Sequence, residues 1–266
     1  MTRRTQFLKN LTAFLEYKKE AGFKTLEISP ETRAKLKRAV ANKSPEASLP
    51  PSSPPASRPS PAPAPTREPE PTPLDDGIRI TGKTPDQITE QIKTCTGCGL
   101  HASRHLAVPG EGKTDRPDIL FVGEAPNPDE DAQGRPFSGE HGQLLTKMIG
   151  AMGYRREEVF ITNIVKCRTP GCRIPHADEV STCMTYLRAQ IKLINPKCIV
   201  AMGKPAVEGM LNKPIAITRF RGTWSTFEGI DLMPTFHPGY LQKVPSKKRE
   251  AWSDLQAVMV KVGKTK

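Results

Sequence analysis

The sequence predicts an α/β fold, a three-layer sandwich in which a central, mostly parallel four-stranded sheet is flanked by helices. Short apolar runs alternate along the C-terminal two thirds of the chain with longer segments whose apolar residues recur at helical spacing. Such alternation is typical of a parallel sheet with helices on both faces. A proline-rich stretch before it indicates that this fold also carries an N-terminal helical extension on a linker.

Four strands and three helices are expected in the C-terminal part. The strands are short runs of mostly apolar residues, typical of buried strands, and they cover residues 118–123, 159–165, 198–202 and 232–236. The helices cover residues 142–152, 178–194 and 248–262. In the first of them the apolar residues fall on one helical face, which would pack against the sheet.

Prolines divide the chain into three parts. Residues 44–75 hold 12 of the 27 prolines and no aromatic residue, so this linker is expected to be disordered or semi-extended. Residues 1–43 are basic, and Phe7, Leu8, Leu11, Phe14 and Leu15 predict an amphipathic helix there. This helical extension could contact a protein partner, the main domain or nucleic acid. The third part, residues 76–266, is the expected α/β domain.

The charge balance favours a polyanionic partner. The chain has 40 Lys and Arg against 28 Asp and Glu, a net charge of +12, which points to DNA or RNA. No apolar run approaches the roughly 18 residues that cross a bilayer, and the N-terminal region lacks the features of a secretory signal. We therefore expect a cytoplasmic protein without a membrane partner.

Polar residues follow three of the predicted strands. Glu124 comes directly after the first strand, Asn163 lies near the end of the second, and His237 follows the fourth. Ligands of parallel α/β folds bind beyond the carboxyl ends of the strands. We therefore expect these three side chains to meet at one site.

Four of the six cysteines have a pattern typical of a metal site. Cys95 and Cys98 form a C-x-x-C pair, and Cys167 and Cys183 lie near the second strand and in the following helix. Four thiolates suit zinc or an iron-sulfur cluster, and their spacing does not separate the two. Cys172, five residues after Cys167, is a rival ligand. The sixth, Cys198, begins a buried strand and is expected to be a small core residue.

Three segments together resemble the motifs of family 4 uracil-DNA glycosylases. They are residues 123–139 (GEAPNPDEDAQGRPFSG), 161–168 (ITNIVKCR) and 235–241 (TFHPGYL). The similarity extends from about residue 93 to 262. It implies a four-stranded parallel sheet and removal of uracil from DNA. We therefore expect a monofunctional DNA N-glycosylase of base excision repair, and we expect it to be a monomer. The similarity also implies a [4Fe-4S] cluster held by Cys95, Cys98, Cys167 and Cys183.

The resemblance also assigns roles around a uracil turned out of the DNA helix. Phe137 would stack on the base and the Asn163 amide would bind its edge, while His237 would stabilise negative charge at O2. Glu124 would position the attacking water, although it could instead hold its loop. The remaining pocket residues are Ala125 and Glu130, the latter near C5 of the base.

DNA contacts are expected around the pocket. Tyr240 or Leu241 would fill the gap that the base leaves, and Arg168 and Lys243 would contact phosphates. Asn127 stands where the family usually has glycine, so it could alter the range of bases accepted. It also leaves open an alternative function, a non-catalytic iron-sulfur module that recognises uracil or damaged DNA.

Overall fold

The computed structural model describes residues 78–264, and the expectations for residues 1–43 and 44–75 lie outside that range. Its centre is a six-stranded sheet of order β1-β3-β2-β4-β6-β5. The strands are β1 (Glu111–Gly112), β2 (Ile119–Gly123), β3 (Phe160–Asn163), β4 (Cys198–Met202), β5 (Ser225–Phe227) and β6 (Ile230–Thr235).

The four inner strands run parallel and the two edge strands are antiparallel. The α/β class and the four-stranded parallel centre are confirmed. The count of four strands for the whole sheet was wrong, because β1 and β5 have two and three residues and sit partly exposed at the edges. Strands this short contain neither an apolar run nor a period that sequence analysis can detect.

Eight α-helices occur in the described part of the chain. They are α1 (Pro85–Lys93), α2 (Pro128–Gln133), α3 (Glu140–Ala151), α4 (Ala177–Ile194), α5 (Lys204–Leu211), α6 (Ile217–Phe220), α7 (Pro238–Lys243) and α8 (Lys248–Lys261). The three predicted helices correspond to α3, α4 and α8. Helices α2 and α7 begin with proline, a residue that suits the first helical position. Each has only six residues, too few to show a periodic apolar face.

Side chains alternate across the sheet and build one core on each face. Leu120 and Val122 of β2 belong to a cluster with α1, α4 and α5, whereas Ile119 and Phe121 belong to a second cluster with α3 and α8. Three layers result, as predicted. Full burial of such side chains contributes about 1.5–3 kcal/mol each, so the sheet is a rigid base for its strand ends. Within the described residues, no helix has the length and apolar character needed to cross a membrane.

Candidate active site

The carboxyl ends of the parallel strands bring the predicted polar residues to one edge of the sheet. Glu124 follows the last residue of β2, and Asn163 ends β3 directly opposite Gly123. His237 follows β6 by two residues and is the N-cap of α7. Gly203, after β4, lies so close that a Cβ atom there would be 3.0 Å from the His237 Cβ.

Phe137 and Asn163 meet over Gly123. A Cβ atom on Gly123 would lie 2.3 Å from Asn163 Oδ1 and 2.6 Å from Phe137 Cζ, so only glycine leaves room for both side chains. The Phe137 ring also faces His237, with ring centroids 5.6 Å apart. The structure therefore brings the predicted stacking, edge-binding and anion-binding residues together.

The loop that carries Phe137 is held in an unusual conformation. Phe137 has φ 48°, a left-handed value that is unfavourable for a bulky residue. Gly142 allows this turn, because a Cβ atom there would lie 1.6 Å from the Phe137 carbonyl oxygen. Arg156, which sequence analysis missed, donates to the Pro136 carbonyl and to Glu111 Oε1 at 2.6 Å. These contacts fix the loop before any ligand binds.

Glu130 connects the pieces of the pocket. Its Oε2 accepts a hydrogen bond from Asn163 Nδ2 at 3.3 Å, and the backbone N–H groups of Phe137 and Asn127 also favour the ionised carboxylate. Burial nevertheless raises the pKa of Glu130 to about 7, since these hydrogen bonds offset only part of the cost of removing the charge from water.

Asn127 is the N-cap of α2. Its side-chain oxygen accepts from the Glu130 N–H at 2.9 Å, and α2 follows with proline at its first position. Asn127 therefore holds the helix that carries Glu130.

His237 is neutral in this site. Its Nδ1 accepts a hydrogen bond from the Gly239 N–H at 3.1 Å, which puts the ring proton on Nε2. Burial lowers the pKa of His237 to about 4, and the nearby His141 contributes in the same direction. Above that pH the ring is a neutral hydrogen-bond donor through Nε2.

Glu124 and Ala125 are half-buried residues directly after β2. Burial raises the pKa of the Glu124 carboxyl to about 7, so the group titrates near neutral pH. A carboxyl tuned in this way is typical of acid-base sites, although structural carboxyls can have the same property.

Lys166 is a second residue that sequence analysis missed. It is fully buried beneath Asn163, and its Nζ donates to the Asn163 carbonyl at 2.8 Å and to Thr162 Oγ1 at 2.6 Å. Burial lowers the pKa of Lys166 to about 7. These bonds hold the last two residues of β3 in place and so orient the Asn163 side chain.

Four cysteines line one cavity: Cys95, Cys98, Cys167 and Cys183. Three of their sulfurs accept hydrogen bonds, from the Gly97 N–H (3.3 Å), from Arg104 (3.1 Å) and from the Lys166 N–H (3.3 Å). No group of three or more His, Cys, Asp or Glu side chains that could hold a metal ion is found among residues 78–264. Cys172 is exposed and does not line the cavity, and Cys198 is buried in β4 as expected.

The expected DNA-contact residues have different surroundings. Arg168 Nε lies 3.4 Å from Asp131 Oδ2, whereas Lys243 is exposed at the end of α7. Leu241 is only 1% exposed, and the half-buried Tyr240 packs on Phe236 with ring centroids 5.0 Å apart.

The arrangement suits a planar heterocycle. An aromatic face and an amide with one donor and one acceptor meet over Gly123, and the neutral imidazole of His237 lies beside the aromatic ring. The amide can pair with adjacent donor and acceptor atoms of a ring, and the imidazole can stabilise a developing oxyanion.

Comparison with known proteins agrees with this geometry. A family model described as the uracil DNA glycosylase superfamily matches residues 109–256. The chain is 46% identical over 158 residues to the type-4 uracil-DNA glycosylase of Thermotoga maritima. This alignment covers 58% of this chain and 81% of the relative. It is 40% identical over 182 residues to that of Sulfurisphaera tokodaii (65% and 82% covered) and 39% over 179 residues to that of Pyrobaculum aerophilum (64% and 90%). The chain therefore belongs to the uracil-DNA glycosylase superfamily and, within it, to the type-4 uracil-DNA glycosylases.

Proposed function

We propose that this protein is a uracil-DNA glycosylase that hydrolyses the bond between uracil and deoxyribose and leaves an abasic site, in base excision repair. The observation that carries the proposal is the meeting of Phe137 and Asn163 over Gly123, with His237 beside the Phe137 ring, in a chain of this family. A non-catalytic DNA-binding module is not favoured, since the similar proteins are named as glycosylases.

Base recognition rests on the aromatic ring and the amide. The Phe137 ring stacks on the extruded base, and Asn163 accepts from N3–H and donates to O4 of uracil. Its bond to Glu130 supports this orientation, because one N–H of the amide is then held by the carboxylate and the other remains for the base. Cytosine presents the reverse pattern at these atoms. Each mispaired buried group costs about 1–3 kcal/mol, which is enough to exclude cytosine.

Bond cleavage leaves negative charge on the departing uracil and positive charge on the sugar. The Nε2–H of the neutral His237 donates to O2 as that charge develops, a contribution of about 3–4 kcal/mol in comparable sites. Glu124 positions the attacking water and, when ionised, favours the cationic sugar. Ala125 adds to the wall of the pocket.

The cysteine cavity fits a [4Fe-4S] cluster. Four cysteines line the cavity, and N–H groups donate hydrogen bonds to three of their sulfurs. Such bonds stabilise the thiolate form in which cysteine binds an iron-sulfur cluster. These four cysteines are the ones that the resemblance to family 4 uracil-DNA glycosylases assigns to the cluster. Burial raises the pKa of the Cys183 thiol to about 12, and a bound metal would stabilise its thiolate form. A hydrolysis needs no electron transfer, so the cluster would hold β3 and α4 to the loop after α1.

DNA binding uses the surface around the pocket. The burial of Leu241 favours Tyr240 as the residue that fills the gap left by the base. Lys243 and Arg168 are candidates for phosphate contacts, with Arg168 exchanging Asp131 for a phosphate. The monomeric state, the cytoplasmic location and a protein partner for residues 1–43 stay predictions from the sequence.

A direct assay tests the function. We expect the purified full-length protein to release free uracil from a uracil-containing oligonucleotide and to leave an alkali-labile abasic site, without added metal. An oligonucleotide with thymine or cytosine at the same position is the control. Tight binding to the uracil oligonucleotide without release of uracil would instead support the non-catalytic module.

The rate of uracil excision is expected to rise with pH through about 7 and then level off. Burial raises the pKa of both Glu124 and Glu130 to about 7, so each carboxyl is protonated below that pH and ionised above it. The proposed role of Glu124 requires the ionised form.

Folding stability should change in the opposite direction, falling as pH rises from 4.5 to about 7. The reason is that the folded state keeps protons on Glu124 and Glu130 that the unfolded state loses over this range.

Two isosteric variants separate the carboxyls. Glu124→Gln should give a slower enzyme whose rate no longer rises with pH, whereas Glu130→Gln should retain the rise. Single-turnover rates between pH 5 and 9 provide the measurement. A flat profile in Glu130→Gln together with a normal profile in Glu124→Gln would assign the titration to Glu130 and contradict the role given to Glu124.

A further inference from the structure

His141 lies against the proposed anion-binding histidine, although the sequence motifs gave it no role. It is the second residue of α3, and its ring stands edge-on to His237 with centroids 6.0 Å apart and planes at 86°. The same ring covers Gly239 in the first turn of α7, where a Cβ atom would lie 3.0 Å from His141 Nε2. A side chain at residue 239 would therefore displace the ring.

Hydrogen bonds fix His141 in this position. Its Nδ1 bonds to Gln242 Oε1, and Gln242 Nε2 donates to the Glu140 carbonyl at 3.1 Å. Because an amide oxygen only accepts, Nδ1 of His141 carries the proton in this contact. The pair of bonds joins the first turn of α3 to α7, the helix that His237 caps.

The orientation of His237 depends on this helix turn. His237 Nδ1 accepts from the Gly239 N–H, and Gly239 is the residue that the His141 ring covers. If Gly239 moved, Nδ1 would lose its donor and the ring could take the other tautomer, with no proton on Nε2. The pocket would then lose its hydrogen bond to O2 of uracil.

The electrostatic surroundings act in the same direction. Burial first and the His141 imidazole second lower the pKa of His237. Two further groups beside His237, Phe137 and Gly203, carry no charge, and the carboxyls of the same rim are Glu124 and Glu130. His141 is thus the ionisable neighbour whose own charge opposes a charge on His237.

We propose that His141 is a positioning residue, which clamps Gly239 and thereby holds the His237 ring with Nδ1 on the helix and Nε2–H towards the base. The inference deepens the proposed function, but only its kinetic test rests on that function. The orientation itself can be measured without substrate.

The test follows the His237 ring by NMR in full-length protein labelled with ¹⁵N-histidine, without DNA. In the unaltered protein we expect the neutral Nε2–H tautomer throughout pH 5.5–8. In His141→Ala we expect a mixture of tautomers and a titration at higher pH. His141→Asn keeps a donor for Gln242 and should restore most of the original tautomer, and His105→Ala, which alters an exposed histidine, should change nothing.

Kinetics give the second readout. In His141→Ala the single-turnover rate of uracil excision should fall about tenfold, the partial loss of one oxyanion hydrogen bond, while affinity for the oligonucleotide stays unchanged. Unaltered tautomer and titration of His237 in both His141 variants would overturn the proposal. If the tautomer changes but neither protein excises uracil, the positioning role stands and the proposed function fails.

Discussion

Replacing Asn163 by Asp is expected to lower the rate of uracil excision by about 10²- to 10⁴-fold. The change leaves O4 of the base without its donor, whereas N3–H keeps an acceptor, and a mispaired buried group costs about 1–3 kcal/mol, where 1.4 kcal/mol is a factor of ten. The new carboxylate would also replace a hydrogen bond to Glu130 by repulsion between like charges at 3.3 Å. Both effects act in the pocket and not on the core.

Asn195→Asp is a matched control. Asn195 is exposed, ends α4 in a left-handed conformation that Asp also tolerates, and lies at the opposite end of the sheet. Single-turnover rates and thermal unfolding of both variants separate loss of function from loss of folding. Uracil excision within threefold of normal in a folded Asn163→Asp protein would contradict the proposed base recognition, since about 0.6 kcal/mol is less than one mispaired group costs.

Sequence analysis anticipated the fold wherever a long pattern existed. The apolar runs at β2 and β4 gave strands because both faces of these strands are buried. The edge strands β1 and β5 and the six-residue helices α2 and α7 were missed, since two to six residues carry no measurable period. Their existence depends on tertiary contacts, such as pairing with β3 and β6.

The site was predictable where residues follow strand ends, and not where side chains meet across elements. The topology of a parallel sheet brought Glu124, Asn163 and His237 to one rim. No sequence signal could indicate that His141 packs on α7 or that Arg156 holds the turn before Phe137, because both depend on how helices pack. Asn127 was expected beside the pocket as a possible selectivity residue, and its capping of α2 is a local contact that the spacing to Glu130 could have suggested.

Replacing Cys95 by Ser is expected to remove the proposed [4Fe-4S] cluster and to destabilise the whole domain. Loss of a structural metal is one of the few changes that lower the free energy of unfolding by about 4 kcal/mol or more. For a domain of this size, that loss lowers Tm by about 8–16 °C. The cavity joins the loop after α1, the end of β3 and α4, so these segments would separate. Visible absorbance, iron and sulfide content and thermal unfolding of anaerobically purified protein provide the measurements.

Cys172→Ser makes the same chemical change outside the cavity. Cys172 is exposed in the turn Pro170–Cys172, only five residues from Cys167, so it tests the rival ligand assignment directly. We expect this variant to keep the colour, four irons per chain and the original Tm. If the Cys172→Ser protein were colourless and the Cys95→Ser protein kept its full iron content, Cys172 and not Cys95 would be the ligand. Four thiolates can also bind zinc in tetrahedral geometry if the cavity contracts around one ion. Zinc instead of iron and sulfide in the unaltered protein would therefore contradict the proposed cluster.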